Sequence, residues 1–219
     1  VEDVTLEGGG RVPAQEITAA VTTLLEGNSL WIFPRRNIFR VDTGMLEAVL
    51  RDQFPDIASI EVIRDFPGAL RIRVAEREER AVLCESEGRC AFLDGEGYVF
   101  KESPYFSPGV YLEFRDERYS TTTEEYLQKP WIGEGVLPAD AYRALVDFAE
   151  SVSGARIVLR AGGDYGIQTG EGWEIKLAEN VDLALARANL KIFMREVGPD
   201  ERRSLEYADL RFGHKIFYK

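Results

Sequence analysis

Ile60-Glu61-Val62-Ile63-Arg64-Asp65-Phe66-Pro67-Gly68-Ala69-Leu70-Arg71-Ile72-Arg73-Val74 is the stretch whose reading decides the fold. Ile60 and Val62 begin an alternating strand, and Pro67-Gly68 supplies turn chemistry. Beyond the turn Leu70, Ile72 and Val74 point one way while Arg71 and Arg73 point the other. The pattern predicts a hairpin with one wet face. A lone hairpin is marginal in water, so its dry face needs a cover.

The cover lies upstream. Val4 and Leu6 predict a short strand that ends at Gly8-Gly9-Gly10. Pro13 suits a first helical turn, and Ile17, Ala20, Val21, Leu24 and Leu25 repeat at helical spacing until Gly27-Asn28, where a left-handed closure would let Leu30, Ile32 and Phe33 turn back to the core. A second helix starts at Asp42-Thr43, whose side-chain oxygens can cap free N–H groups. It presents Leu46, Val49, Leu50 and Phe54 and stops at Pro55. Strand, helix, helix, strand, strand makes a small α+β unit, assigned to residues 1–79. The charged run at residues 76–80 leads directly into Ala81-Val82-Leu83, which predicts one continuous strand crossing into a second domain at residues 80–219.

The second domain reads as mainly antiparallel β with two or so helices. Residues 81–84, 90–93 and 98–100 form successive hairpin strands around the turns at 85–89 and Asp94-Gly95-Glu96-Gly97. Residues 110–114 are expected as a strand within an otherwise loop-like stretch carrying Tyr119, Thr121-Thr122-Thr123, Tyr126 and Trp131. Residues 138–152 have helical period through Tyr142, Leu145, Val146 and Phe148. Strands at 155–159, 164–169 and 173–177 follow, then a helix capped by Asn180 that presents Leu183, Leu185, Ala188, Ile192 and Phe193 and ends at Gly198-Pro199. Residues 205–212 and 215–219 close as strands.

Composition narrows the function. A formal charge of -11 and a sequence pI near 4.8 argue against a nucleic-acid surface, which needs a basic stripe; Arg35-Arg36 and Arg202-Arg203 read as solvated loops. One histidine and two cysteines fall short of the four Cys or His ligands of a usual structural zinc site, and no cofactor motif is present. Gly8-Gly9-Gly10 lacks the Lys-Ser/Thr of a phosphate loop. No run of about 18 apolar residues is present. A first residue Val1 rather than Met is expected of a piece of a longer polypeptide.

Several ordered stretches carry a resemblance: Gly27-Asn28-Ser29-Leu30, Phe54-Pro55-Asp56-Ile57-Ala58, Arg64-Asp65-Phe66-Pro67, Ile72-Arg73-Val74 leading to Glu76-Arg77, Leu93-Asp94-Gly95-Glu96-Gly97-Tyr98-Val99-Phe100 and Tyr207-Ala208-Asp209-Leu210-Arg211-Phe212. In that order the chain resembles the extracytoplasmic part of the bacterial cell-division family FtsQ, also called DivIB. The resemblance implies a POTRA domain followed by a family-specific β domain. It also implies a cytoplasmic tail and a single membrane-spanning helix upstream, with this region on the extracytoplasmic side at the division septum. The implied function is a non-enzymatic divisome scaffold that binds FtsB-like and FtsL-like partners and helps regulate septal peptidoglycan synthesis. Residues 103–150 differ from the family pattern, and its aliphatic-Pro step is not clear at Phe106-Ser107-Pro108.

The resemblance also implies a partner site: Arg211 and Phe212, with His214, Ile216, Phe217 and Tyr218 on the last strand, where an extended partner would add to a sheet edge. An arginine beside an aromatic offers a carboxylate clamp next to an apolar anchor, whereas the plainer reading makes Phe212 and Tyr218 core residues and Arg211 a solvated strand residue. Cys84 and Cys90 flank a turn; a cross-strand disulfide and free thiols are both open, and the spacing lacks the Cys-x-x-Cys form of redox pairs. The carboxylate pairs Asp94 with Glu96 and Glu171 with Glu174 lie in or beside turns, and His214 has no nucleophile partner, so no enzyme is expected. A POTRA module of an outer-membrane assembly or secretion system is the rival reading.

Overall fold

The structure is a computed structural model, and it describes residues 1, 3–26, 28–29, 33–34, 38–39, 41–85, 88–118 and 132–219. Gly27, Leu30, Ile32, Arg35-Arg36, Tyr119, Thr121-Thr122-Thr123, Tyr126 and Trp131, all named above, lie outside the described residues. The chain divides into two units, Val1–Glu78 and Glu79–Lys219.

In the first unit the elements are β1 (Asp3–Gly8), α1 (Ala14–Leu25), the short paired segments β2 (Asn28–Ser29) and β3 (Phe33–Pro34), α2 (Thr43–Gln53), β4 (Ile57–Asp65) and β5 (Ala69–Glu76). β5 is the centre of the three-stranded sheet, antiparallel to β4 and parallel to β1. The expected parity holds: Leu70, Ile72 and Val74 are buried against Ile17, Val21 and Leu25 of α1 and Leu46 and Leu50 of α2. On the wet face Arg71 pairs with Asp65 and Glu7, and Arg73 with Glu7 and Glu61.

Local chemistry sets the helix ends. The Pro13 carbonyl accepts the N–H of Glu16 and of Ile17, and Glu26 N–H closes the far end of α1 onto Thr22 and Thr23. Asp42 Oδ1 accepts Met45 N–H at 3.0 Å, the cap expected of α2. β4 begins at Ile57, three residues before the expected Ile60. Strict alternation would put Ile57 and Ile60 on opposite faces, yet both are buried, because a bulge between Ile57 and Ser59 shifts the register.

The continuous strand expected through residues 76–80 is not formed. β5 stops at Glu76, and Arg77 N–H turns to Asp56 O at 2.8 Å. Arg80 N–H bonds Leu93 O at 2.8 Å, so the two ends of the run are held by different ladders and the next strand starts afresh at Ala81.

The second unit runs β6 (Ala81–Cys84), β7 (Cys90–Leu93), β8 (Val99–Ser103), β9 (Leu112–Glu117), α3 (Ala139–Ala149), β10 (Arg156–Arg160), β11 (Tyr165–Gln168), β12 (Glu174–Leu177), α4 (Leu183–Glu196), α5 (Pro199–Arg202), β13 (Tyr207–Phe212) and β14 (Lys215–Tyr218). Among the described residues these strands make one nine-stranded sheet in the order β14-β13-β12-β11-β10-β9-β6-β7-β8. The hairpins are antiparallel as expected, while β6/β9, β9/β10 and β12/β13 pair in parallel, so the sheet is mixed. A parallel pairing needs a crossover, and α3 and the α4–α5 segment supply two of them. The strand expected at 110–114 is β9, displaced towards residue 117.

The larger core lies on the face covered by α3 and α4, where Phe114, Tyr142, Phe148, Trp173 and Leu177 are buried. Alternation sends Val82, Cys84, Cys90, Phe92 and Phe100 to the other face, under Phe106 and Tyr111. Cys84 and Cys90 sit directly opposite each other in β6 and β7, and their sulfurs are bonded. Gly97 has φ +78°, and a Cβ there would meet the Tyr142 ring at 2.7 Å, so the Asp94-Gly95-Glu96-Gly97 turn packs directly on α3.

α4 departs from the sequence reading at its start and on its face. Its cap is Asp182, whose Oδ1 accepts the N–H of Ala184 and Leu185 at 3.0 Å, and not Asn180. The buried stripe is Ala186, Leu190 and Phe193, while Ile192 is 57% exposed. Apolar residues occur all round this helix, so the sequence period alone does not single out the face that docks.

Candidate partner-binding edge

β13 and β14 form a hairpin at one margin of the nine-stranded sheet. Gly213, with φ +65°, makes the turn between them, and its carbonyl accepts Asn189 Nδ2 of α4 at 2.8 Å. Ala208 and Leu210 fix β13 to the core. Tyr207 and Lys219 exchange backbone hydrogen bonds at 3.3 and 3.2 Å, so the alternation of an antiparallel ladder turns the backbone groups of Ile216 and Tyr218 outward. No described strand pairs with that outer edge. The opposite margin differs, because β8 is covered at its start: Val99 N–H bonds Glu134 O, and Gly133 N–H bonds Val99 O, each at 2.8 Å.

The six expected residues separate by environment. Phe212 and Phe217 are 57% and 52% exposed and meet edge to face with centroids 5.3 Å apart. Tyr218 is 51% exposed and packs its ring 5.2 Å from Phe193. The core reading of Phe212 and Tyr218 is thereby set aside. Ile216 is half-buried against the large core, and His214 is exposed in the turn.

Arg211 is more engaged than an open clamp. Its Nε and Nη2 donate to Asp209 at 2.9 and 2.7 Å, and Nη1 donates to Asp164 at 2.7 Å. These bonds, that to Asp209 first, raise its pKa well above the ordinary guanidinium range. Burial alone would raise the Asp209 carboxyl, but the side-chain and backbone hydrogen bonds from Arg211 outweigh it and hold the carboxyl below its usual range. Of the two carboxylates Asp164 is the more exposed, 38% against 8%. Asp209 could have been found from its position two residues before Arg211 on one strand face. Asp164 comes from the β10–β11 turn and leaves no local signal.

The carboxylates weighed as catalytic pairs have structural partners. Asp94 accepts the N–H of Glu96 and Tyr98, Glu96 pairs with Arg143, Glu171 with Arg202 and Glu174 with Arg160. Among the described residues no His, Cys, Asp and Glu group is placed to hold a metal ion, and no helix is long and apolar enough to cross a membrane.

Residues 1–77 match the POTRA domain, FtsQ-type, and the first unit is a domain of that class. A curated relative is the Cell division protein FtsQ of Streptomyces bingchenggensis (strain BCW-1), 30% identical over 112 residues. The match covers 51% of this chain and 38% of that relative, so the chain spans well under half of the relative's length in the alignment. The likeness is thus to an FtsQ-type POTRA domain over the first unit and to a cell-division FtsQ protein over about half of the chain.

Proposed function

We propose that this chain is the extracytoplasmic part of a membrane-anchored, non-enzymatic division scaffold that captures an FtsB-like segment, and through it an FtsL-like one, by strand addition to β14. Such capture would help regulate septal peptidoglycan synthesis. The observation that carries the reading is the outer edge of β14, which no described strand pairs with, beside the exposed Phe212–Phe217 pair, in a chain whose first unit is of FtsQ type. An added strand would satisfy the outward groups of Ile216 and Tyr218, and the aromatic pair would supply an apolar anchor. The FtsQ-type match favours division over an outer-membrane assembly role.

Tyr218→Pro tests this, because proline removes an outward N–H while leaving the ladder to β13 intact. Titration calorimetry with the extracytoplasmic segment of the cognate FtsB-like protein should show binding by the natural chain, weakened roughly ten-fold or more in the variant, about the loss expected when one interface hydrogen bond and its register fail. Undiminished binding by a folded Tyr218→Pro protein would overturn strand addition at β14.

A further inference from the structure

A cavity of about 450 Å³ opens between the end of α3, the β11–β12 hairpin and α4. Trp173, Ile175, Leu190 and Met194 give it an apolar wall, and the exposed Arg187 and Lys191 stand at its mouth. Its volume is in the range of natural ligand pockets. Glu171 also borders it, but that carboxylate is committed to Trp173 Nε1 and Arg202 Nε, both at 3.0 Å.

Among the described residues most arginines of this protein are paired, and those along α4 are not. The chain has a formal charge of -11, and Arg71, Arg73, Arg115, Arg118, Arg143, Arg156, Arg160, Arg202 and Arg211 all hold carboxylates. Arg187, Lys191 and Arg195 recur every four residues along one side of α4, are exposed, and their side chains make no hydrogen bond or ion pair among the described residues. At 1.5 Å per residue they span about 12 Å. Phe193 and Asn189, which touch Tyr218 and Gly213, project from the opposite side of the helix, so the cavity and the β14 edge are separate surfaces.

We propose that this cavity is a second docking site, which seats one apolar side chain of an acidic protein segment and lays that segment's carboxylates along Arg187, Lys191 and Arg195. Charge complementarity selects the occupant: unpartnered cations on an acidic protein attract an anionic partner. Their 12 Å extent, from the rise above, matches a length of polypeptide with several carboxylates and exceeds a single anionic headgroup.

The test uses the whole chain and labelled eight-residue peptides in which a leucine, phenylalanine or tryptophan is flanked on each side by glutamates. Fluorescence anisotropy at low and moderate salt should show binding by at least one of them, weaker at higher salt. Arg187→Glu with Lys191→Glu should weaken it by about ten-fold or more, because both contacts become repulsive. Ser153→Trp, at an exposed lining position, should block it, while Tyr218→Pro should leave it unchanged. The proposal is overturned if no such peptide binds up to about 1 mM, the weak end of the affinity scale. It is also overturned if the alanine-anchored peptide binds equally, if the charge-reversed protein binds equally, or if phosphatidylglycerol vesicles bind where the peptides do not.

Discussion

Glu76 ties the start of the chain to the end of β5. Its Oε1 accepts the N–H of Gly10, Arg11 and Val12 at 2.8, 2.7 and 2.8 Å, and Arg11 Nε donates to Oε2 at 3.1 Å. The Val12 bond leads the causes that bring its pKa down to about 2, with burial opposing. In the unfolded chain a glutamate titrates near 4.3, so at intermediate pH the unfolded state holds more protons and stability rises with pH. The contribution is full above about pH 4.3 and disappears as the pH falls towards about 2. Glu76→Gln should cost roughly 1.5–3 kcal/mol at pH 7, the range for hydrogen bonds to a charged group. It should also flatten the acid limb of the first unit's stability, followed by hydrogen exchange at Leu70 and Ile72. An equally steep acid limb in the variant would show that other carboxylates set it.

At the scale of the element, what was legible was what neighbours in sequence decide. The β4–β5 hairpin and the parity of Leu70, Ile72 and Val74 follow from period-two alternation and one Pro-Gly turn. The bulge at Ile57–Ser59 and the docking face of α4 do not, because each is fixed by tertiary contacts that outweigh local pattern. For the candidate site, the exposure of Phe212 and Phe217 is consistent with the edge anticipated from the resemblance, but the capture of Arg211 by Asp164 across 47 positions was beyond any local reading. The spacing of Cys84 and Cys90 leaves both a bonded and a free pair open. With the bond formed over a sequence separation of six, reduction should cost about 2 kcal/mol on the loop-entropy model. Denaturant unfolding of the second unit before and after reduction and alkylation measures this, and no change in midpoint would mean that the reduced hairpin is held as well by its packing under Phe106 and Tyr111.

At the scale of the whole molecule, each unit has its own core, and the larger one owes its architecture to pairings that sequence order conceals. The registers set Ala81 beside Leu112, Phe114 beside Ile157 and Ile175 beside Ala208, each joining segments about 30 or more residues apart, so each closes a long loop with its attendant entropy. The hairpins within β6–β8 and β10–β12 close loops of only a few residues. Pulse-labelled exchange during refolding should therefore protect the hairpin amides of Leu83 and Ile167 before those of Phe114 and Ala208. Simultaneous protection of all four would reject that sequence of events.

Those three parallel joints give the sheet a grain. It is assembled from short meanders, laid side by side and stitched along β6/β9, β9/β10 and β12/β13, and a tear would run along a stitch before it crossed a meander. The β13–β14 hairpin lies wholly beyond the last stitch, so a pull transmitted through a strand added to β14 would load that seam together with the hairpin's contacts to α4 and Asp164. The margin proposed to receive a partner is thus also the strip that joins the rest of the sheet along a single ladder.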